Sequence, residues 1–248
     1  PQLIAGPIVR YKEIAEQITK RVHDNHHEKL IGVFRFSIGL AKKMLIANVV
    51  GKEADAIFAL NSIDISSTQA WIGIICYTFQ IYFDFSAYSD MAIGLGKMMG
   101  FSFPENFNSP YTSKSITEFW QRWHITLGSW MRDYLYIPLG GNRVKSKLRL
   151  YSNLWIVFLI SGLWHGASWN FIVWGAFHGT FLVLDRLFLL RFTSKLPSFF
   201  SILLTFFISI NGWVLFRAES LSDAASYFKS MYAFNFDFPY YFFVSDEP

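Results

Sequence analysis

The sequence predicts an all-α, polytopic integral membrane protein. Of its 248 residues, 52% are hydrophobic and only 16% are charged, whereas soluble domains carry about 25% charged residues. The 27 Phe, 12 Tyr and 9 Trp are typical of lipid-facing helices with aromatic belts at both membrane interfaces. Several apolar runs approach the length of a membrane helix, about 20 residues. We expect one membrane domain over residues 1–248 and no separate soluble domain.

Charge and cysteine content narrow the possible functions. The net charge is +4, but the basic residues cluster in connecting segments, which suits membrane topology better than nucleic-acid binding. The single cysteine, Cys76, rules out an intramolecular disulfide. The chain opens on Pro1 without a charged-then-apolar signal segment and ends directly after an aromatic cluster. We therefore expect an internal fragment of a longer multipass protein.

The first segment combines a surface helix with three histidines. Residues 10–21 indicate a short polar helix at the membrane surface, and His23, His26 and His27 follow in a charged loop. The histidine spacing could hold a metal ion. However, no cysteine or carboxylate framework accompanies them, and structural zinc sites take four ligands. We predict solvated histidines and no metal site.

The second helix carries a basic face. Residues 32–50 have a helical pattern in which Arg35, Gly39, Lys42 and Lys43 share one side. We interpret this helix as interfacial, with its lysines extended to lipid headgroups. The alternative is a basic wall for an anionic donor such as coenzyme A.

A long helix is predicted from about residue 71 to residue 95. Asp84 and Asp90 would lie at or near membrane depth, on different faces, because six residues turn a helix by about 240°. Each should meet a polar partner within the protein. A structural salt bridge and a role in lining a passage both remain open.

After a loop at residues 103–110, Ser115 and Glu118 fit the capping box, so a helix should begin there. It should run to about Tyr136, ahead of Pro138 and the turn at residues 140–141.

His124 falls in the apolar arc of that helix. Its neighbours in the arc include Trp120, Trp123, Leu127, Trp130, Met131, Tyr134 and Leu135. Gln121, Arg122, Ser129, Arg132 and Asp133 fall on the other side. A histidine in such a place is usually a packed core residue with a bonded nitrogen. A catalytic role is the alternative.

Two apolar runs, residues 154–163 and 171–190, predict a membrane hairpin with His165 at its tip. Basic residues place both outer ends in the cytoplasm. From residue 151, the helix rises about 21 Å before His165, within a hydrocarbon core of about 30 Å. Lipid cannot satisfy the ring nitrogens, so His165 should face protein or a water-filled cavity. His178 on the return helix is interpreted as a supporting or packing residue.

Two further elements follow. Residues 199–216 predict another spanning helix, and residues 223–232 a short amphipathic one.

Several common catalytic motifs are absent, which leaves acid–base catalysis by histidine as the main possibility. The sequence contains no G-x-S-x-G elbow, Walker loop, H-E-x-x-H motif or cysteine pair. A hydroxyl is a poor nucleophile until a base takes its proton, and imidazole titrates near neutrality. Acyl transfer at membrane depth, with His165 and His124 as candidate catalytic residues, matches these demands.

Six segments carry a family resemblance that spans most of the chain. They are residues 1–8 (PQLIAGPI), 84–90 (DFSAYSD), 106–111 (NFNSPY), 119–124 (FWQRWH), 132–142 (RDYLYIPLGGN) and 163–166 (LWHG). Together they resemble the membrane-bound O-acyltransferase family, and in particular its bacterial alginate O-acetyltransferase branch.

The resemblance implies a helical bundle with a buried central cavity, in a multi-pass protein of the bacterial plasma (inner) membrane. His165 matches the histidine that family members require for catalysis. His124 matches an upstream polar site that is Asn, Asp or His in different branches. The implied donor is acetyl-CoA from the cytoplasm, with no permanently bound cofactor. The implied acceptor is an exported, alginate-like polysaccharide, and the implied partner is an extracytoplasmic acetyltransferase. Whether His165 is a general base or carries the acyl group stays open.

Three alternatives remain at this point. A related branch transfers D-alanine to teichoic acids, although residues 134–142 favour the polysaccharide-acetylating branch. In a transporter or channel, Asp84, Asp90, His124 and His165 would line a permeation path, and no acyl donor would be consumed. The chain could also only scaffold a biosynthetic complex, in which case substitution of His165 would leave acetylation intact.

Overall fold

A computed structural model describes residues 6–19, 25–60 and 65–236 of the chain. Within these ranges all regular structure is helical, which confirms the all-α prediction there. The α-helices are α1 (Tyr11–Thr19), α2 (His26–Ala41), α3 (Asn48–Phe58), α4 (Ser67–Met98), α5 (Ile116–Arg122), α6 (Ile125–Met131), α7 (Lys147–His165), α8 (Trp169–Leu184), α9 (Leu190–Thr193), α10 (Ser198–Arg217) and α11 (Leu221–Met231). π-Helical segments occur at Lys42–Ala47, Arg132–Tyr136 and Asp185–Leu189. His23, residues 1–5 of the first motif and the aromatic tail after residue 236 lie outside the described residues.

Two helices in the described ranges are long and apolar enough to cross a membrane. They are Trp169–Thr193, which runs from α8 through α9, and Ser198–Arg217, which is α10. The other two segments proposed as spans are also helices, α4 and α7, at the predicted places. They are long enough, with 32 and 19 residues, but they are less apolar than the other two helices. Their crossing of the bilayer therefore stays a prediction.

The helix at residues 32–50 begins earlier than predicted. Asn25 caps α2, because its side chain accepts a hydrogen bond from the backbone N–H of His27 (3.0 Å). His26 and His27 therefore belong to the first turn of a helix and not to a loop. In the described part of the chain, no three His, Cys, Asp or Glu side chains form a possible metal group. Because His23 lies outside that part, the absence of a metal site stays a prediction.

The basic face of α2 and its π-helical extension packs against α4. Arg35 and Lys42 both bind the Asp90 carboxylate, at 2.8 and 2.6 Å, and Lys43 binds Asp84. The interpretation that these lysines extend to headgroups is therefore wrong. Each of the three cations of this face is already paired with a carboxylate. The alternative, a basic wall free to bind an anionic donor, is therefore not supported. The prediction that both aspartates meet polar partners is confirmed.

The predicted hairpin is confirmed, and two glycines allow it to close. A Cβ atom on Gly162 of α7 would collide with the carbonyl oxygen of Phe171, and one on Gly175 of α8 with that of Phe158. The two backbones therefore touch, as small residues permit in membrane helices. Residues 166–168 connect the helices, and the Ser168 hydroxyl caps α8 by accepting from the Asn170 N–H (3.4 Å).

The core between α4, α5, α8, α10 and α11 is largely aromatic. Phe119, Trp123, Trp174 and Trp213 are each at most 4% exposed. Trp213 donates its indole N–H to the hydroxyl of Tyr111 (3.1 Å). Trp174 of this core packs edge-on against the ring of His165, with a centroid distance of 5.1 Å.

Candidate active site

The helix that should carry His124 is interrupted at that residue, so the prediction of one helix from Ser115 to Tyr136 is wrong. α5 ends at Arg122, and His124 adopts left-handed backbone angles (φ 46°, ψ 53°) before α6 begins. The capping interaction at the start is present, since the Ser115 hydroxyl accepts from the Glu118 N–H (3.1 Å).

The break arises from the loop at residues 103–110, which docks against it. The backbone carbonyl of Asn106 accepts from the Ile125 N–H (2.9 Å), and its side-chain oxygen accepts from the Thr126 N–H (3.2 Å). These are the first donors of α6, which have no partner inside the helix. Asn106 thus caps α6 from another part of the chain.

The break and the π-helical turn after α6 also rotate the predicted faces. Trp130 and Tyr134, expected in the apolar arc, are 39% and 56% exposed. Gln121, Ser129 and Arg132, expected to point away, line a cavity. A single helical wheel fails here because it assumes an unbroken turn of 100° per residue.

His124 itself is buried, with 6% of its surface exposed. Its Nδ1 lies 3.0 Å from the side-chain oxygen of Asn106. Phe85 approaches its ring edge-on at a centroid distance of 4.7 Å, and Trp164 lies 6.4 Å away. His124 is therefore a buried histidine with a bonded nitrogen, as the packing interpretation required. It also lines open space, which a purely packed residue does not.

His165 is the last residue of α7 and is half-buried. Four aromatic rings surround it, with centroid distances of 4.9 Å for Trp164, 6.3 Å for Phe171, and 5.1 Å each for Trp174 and Phe216. The ring sits at the hairpin tip and faces the interior of the protein. This agrees with the expectation that it faces protein or a cavity.

Two cavities of about 380 Å³ each meet at the two histidines. Cavity A lies between α5, α6 and α7, and cavity B lies between α4, the tip of α7, α8 and α10. His124, His165 and Trp123 line both. Each volume is within the range of small-molecule sites, about 300–1,000 Å³. The structure therefore places both predicted site residues together, with a chamber on either side of them.

The two cavities differ in their polar groups. Cavity A presents Gln121, Ser129 and Arg132, and cavity B presents Gln80 and Asp84. Both therefore combine apolar walls with a few polar side chains, as ligand sites do.

The permeation path of the transporter alternative is only partly assembled. Asp84, His124 and His165 line cavity B. Asp90, the fourth expected member, lies instead in a separate pocket of about 190 Å³ beside Asn106.

His178 is separate from both cavities. It is fully buried, and neither ring nitrogen has a hydrogen-bond partner among the described residues. Trp120, Trp174 and Phe177 meet its ring edge-on at 4.9–5.2 Å. Trp174 separates it from His165, because its ring is 5.1 Å from both. The interpretation of His178 as a packing residue is confirmed.

Asn106 is the residue of the site that the sequence did not reveal. It lies in a predicted loop and in one of the six motifs, yet nothing in its spacing to His124 suggests contact. The only available signal was its place in the segment NFNSPY. Its role depends on how that loop folds back onto the helix break.

Comparison with known proteins gives consistent matches. The sequence profile of the MBOAT, membrane-bound O-acyltransferase family, matches residues 1–217. The chain is 48% identical over 236 residues to "Probable alginate O-acetylase AlgI" of Pseudomonas aeruginosa, covering 94% of this chain and 44% of that protein. It is 46% identical over 241 residues to the "Peptidoglycan O-acetyltransferase" of Helicobacter pylori, with 95% and 45% covered.

A more distant match is the "Teichoic acid D-alanyltransferase" of Bacillus subtilis, 30% identical over 193 residues, with 73% of this chain and 48% of that protein covered. The chain therefore spans a little under half the length of these curated relatives.

Proposed function

Because this chain belongs to the membrane-bound O-acyltransferase family, we propose that it carries the catalytic centre of an enzyme that acetylates an exported polysaccharide. The acetyl group would come from a cytoplasmic donor, acetyl-CoA, and would move towards hydroxyl groups of an alginate-like polymer. Relatives named as an alginate O-acetylase and a peptidoglycan O-acetyltransferase support acetyl as the transferred group. The observation that carries the proposal is the pair of histidines at the junction of two cavities.

In the proposed reaction, a histidine base takes the proton of the acceptor hydroxyl as its oxygen attacks the thioester carbonyl carbon. The resulting tetrahedral intermediate expels the thiolate by breaking the C–S bond, and the thiolate receives the proton from the imidazolium. One cavity would hold the donor and the other the acceptor, so that both reach the same ring pair. Holding two reactants beside a base in a low-dielectric chamber lowers the entropic part of the barrier. A transient acyl group on His165 would use the same two chambers.

We place the protein in the bacterial plasma membrane as a multi-pass protein. The membrane-bound family and the two apolar helices α8–α9 and α10 support this location. An extracytoplasmic acetyltransferase is proposed as the partner that completes transfer to the polymer. D-alanyl transfer is supported less, because the teichoic acid D-alanyltransferase matches at 30% identity against 48% for the alginate relative.

The decisive experiment replaces His165 by Ala and, separately, by Gln in the complete gene product. We expect O-acetyl groups on the secreted polysaccharide to fall by at least about 10²-fold, the usual contribution of a general base, while the membrane level of the protein stays unchanged. The matched control is His178→Leu, since that ring also lies on the α7–α8 hairpin but lines neither cavity.

Two outcomes would contradict the proposal. Acetylation at the level of the unchanged protein in both His165 variants would remove the catalytic assignment. Purified membranes that release no coenzyme A thiol from acetyl-CoA, with or without acceptor, would favour a transporter.

A further inference from the structure

We infer that Asn106 is a positioning residue that holds His124 in the tautomer with its hydrogen on Nδ1, so that Nε2 is the basic nitrogen of the ring. The inference deepens the proposed acyltransfer and rests on it. It assigns a direction to each hydrogen bond around His124.

The orientation of the Asn106 amide follows from its backbone neighbour. The Thr126 backbone nitrogen lies 3.2 Å from the side-chain atom assigned as Oδ1. A backbone N–H can only donate, so the atom that it meets must be the oxygen and not the NH₂ group. The NH₂ group then points the other way, where it donates to the Ser89 hydroxyl (3.2 Å).

A second chain of bonds gives the same orientation. The Ile8 backbone N–H donates to the Thr126 hydroxyl oxygen (3.0 Å), and that hydroxyl lies 2.9 Å from Asn106 Oδ1. Since its oxygen accepts from Ile8, its hydrogen is available for Asn106. Oδ1 is thus surrounded by donors.

The tautomer of His124 follows from this orientation. Nδ1 lies 3.0 Å from an oxygen that cannot donate, so it must carry the hydrogen. In a neutral imidazole the other nitrogen, Nε2, then holds the free lone pair. His124 lines both cavities, so this arrangement leaves an acceptor for the hydroxyl proton at the junction where the proposed substrates meet.

The Asn106 side chain is built into the protein and is only 1% exposed. Its loop is held at the neighbouring residue, because Glu105 binds Arg35 (2.6 Å) and Arg35 also binds Asp90. The positive φ of His124 is a backbone conformation that non-glycine residues adopt at a cost of roughly 1–3 kcal/mol. Asn106 bonds His124 and the two residues after it, and the N–H of Asn108 in the same loop donates to the Arg122 carbonyl before the break (3.0 Å). These contacts of one loop maintain that geometry.

The titratable and charged groups around His124 are few. His165 comes from α7, and Tyr77, Asp84 and Tyr88 face cavity B from α4. Arg132 and Tyr136 face cavity A from the π-helical turn after α6. A carboxylate at residue 106 would lie within hydrogen-bond distance of Nδ1, so we expect it to dominate the effect on protonation.

Asn106→Asp is therefore the diagnostic variant. It keeps an oxygen for Nδ1 and for the Thr126 N–H, and the Ser89 hydroxyl can donate to the second oxygen. The added charge stabilises the protonated ring, so the low-pH limb of kcat against pH should move up by about one unit or more. The rate is measured as transfer from radiolabelled acetyl-CoA in membranes that contain the complete gene product.

Asn106→Ala is the complementary variant, because it removes the acceptor and frees the tautomer. We expect kcat to fall by on the order of 10²-fold with little change in KM for acetyl-CoA. Asn153→Ala is the matched control. Asn153 is also fully buried, and its NH₂ group donates to the carbonyls of Leu139 and Gly141, but it lines neither cavity. Its pH profile should match that of the unchanged protein.

The outcomes separate this inference from the proposed function. A pH profile of Asn106→Asp that superimposes on the unchanged profile, while His165→Ala is inactive, overturns only the role of Asn106. Failure of Asn106→Asp to accumulate in membranes also counts against it, because the NH₂ bond to Ser89 would then be needed for folding and the role of Asn106 would be structural. Activity that survives His165→Ala overturns the proposed function itself.

Discussion

The α2–α4 interface and the α7–α8 interface hold the two histidines by different means. The first contains ion pairs, because Asp84 and Asp90 of α4 bind three cations of the facing helix. The second contains apolar side chains and two glycines that bring the backbones into contact. His124 depends on the polar side through Asn106, and His165 depends on the apolar side through the hairpin. Polar bonds here fix the orientation of one histidine ring, whereas backbone packing fixes the position of the other.

Only a few contacts or residues separate each interface from its histidine. On the polar side, Arg35 joins Asp90 to Glu105, and the next residue, Asn106, bonds the ring of His124. On the apolar side, Gly162 lies one turn before His165, so the fit of α7 against α8 sets where the hairpin tip falls. A change at either interface should therefore affect the site, though in a different way.

The largest expected effect comes from Gly162→Ala on the apolar side. The new Cβ atom would collide with the Phe171 carbonyl, so α7 and α8 must move apart. Overpacking of this kind costs about 1–3 kcal/mol or more, and a displacement of about 1 Å near the chemistry costs about 10²-fold in rate. We expect polysaccharide O-acetylation to fall about 100-fold and the thermal midpoint in detergent to decrease.

The control for this prediction is Gly179→Ala in the same helix pair. A Cβ atom there would meet Phe158 and Trp155 at 3.5 Å, an ordinary contact, and alanine favours the helix by up to about 1 kcal/mol. Acetylation should stay within twofold. Equal losses in both variants would show that close backbone contact is not what places His165.

Sequence reasoning succeeded on the apolar side because its signal is local. The apolar runs on either side of His165 predict a hairpin from hydropathy alone. In the structure α7 ends at His165 and α8 begins at Trp169. The position of His165 at the tip and the interpretation of His178 as packing both followed. Neither prediction required knowledge of contacts between residues that are far apart in the sequence.

On the polar side, the sequence predicted that both aspartates have polar partners but not which residues these are, because the partners are distant in sequence. Lys42 and Lys43 have the same spacing whether they meet headgroups or carboxylates, and only the docking of α4 decides between them. The break at His124 depends on Asn106, which lies 18 positions earlier in the chain. A helical wheel contains no information about a cap supplied by a remote loop. The exposure of Tyr134 follows from the same break.

An intermediate effect is expected from Asp90→Asn on the polar side. Asp90 is 8% exposed and neutralises both Arg35 and Lys42, and removal of one partner from a buried pair costs about 3–5 kcal/mol. The two cations are partly exposed, so solvent reduces the cost to about 1–3 kcal/mol. We expect a thermal midpoint several degrees lower, with a smaller loss of acetylation than in Gly162→Ala.

Asp84→Asn provides the matched comparison. The side chains of Asp84 and Lys43 are 49% and 40% exposed, and pairs of this kind contribute about 1 kcal/mol or less. Its thermal midpoint should change little. If Asp84→Asn destabilised the protein as much as Asp90→Asn, burial would not be the property that ranks these two ion pairs.

The smallest effect is expected from His178→Leu, which removes a polar group from the apolar side. Both ring nitrogens lack partners among the described residues, and the ring is fully buried. A buried polar group without a hydrogen bond costs about 1–3 kcal/mol, and its replacement by an apolar group of similar size can be neutral or stabilising. We expect a thermal midpoint that is unchanged or higher by a few degrees. A clear decrease, with the membrane level of the variant also reduced, would mean that His178 makes a polar contact that helps to hold Trp174 against His165. The apolar interface would then depend on a polar bond, and its contrast with the α2–α4 interface would be lost.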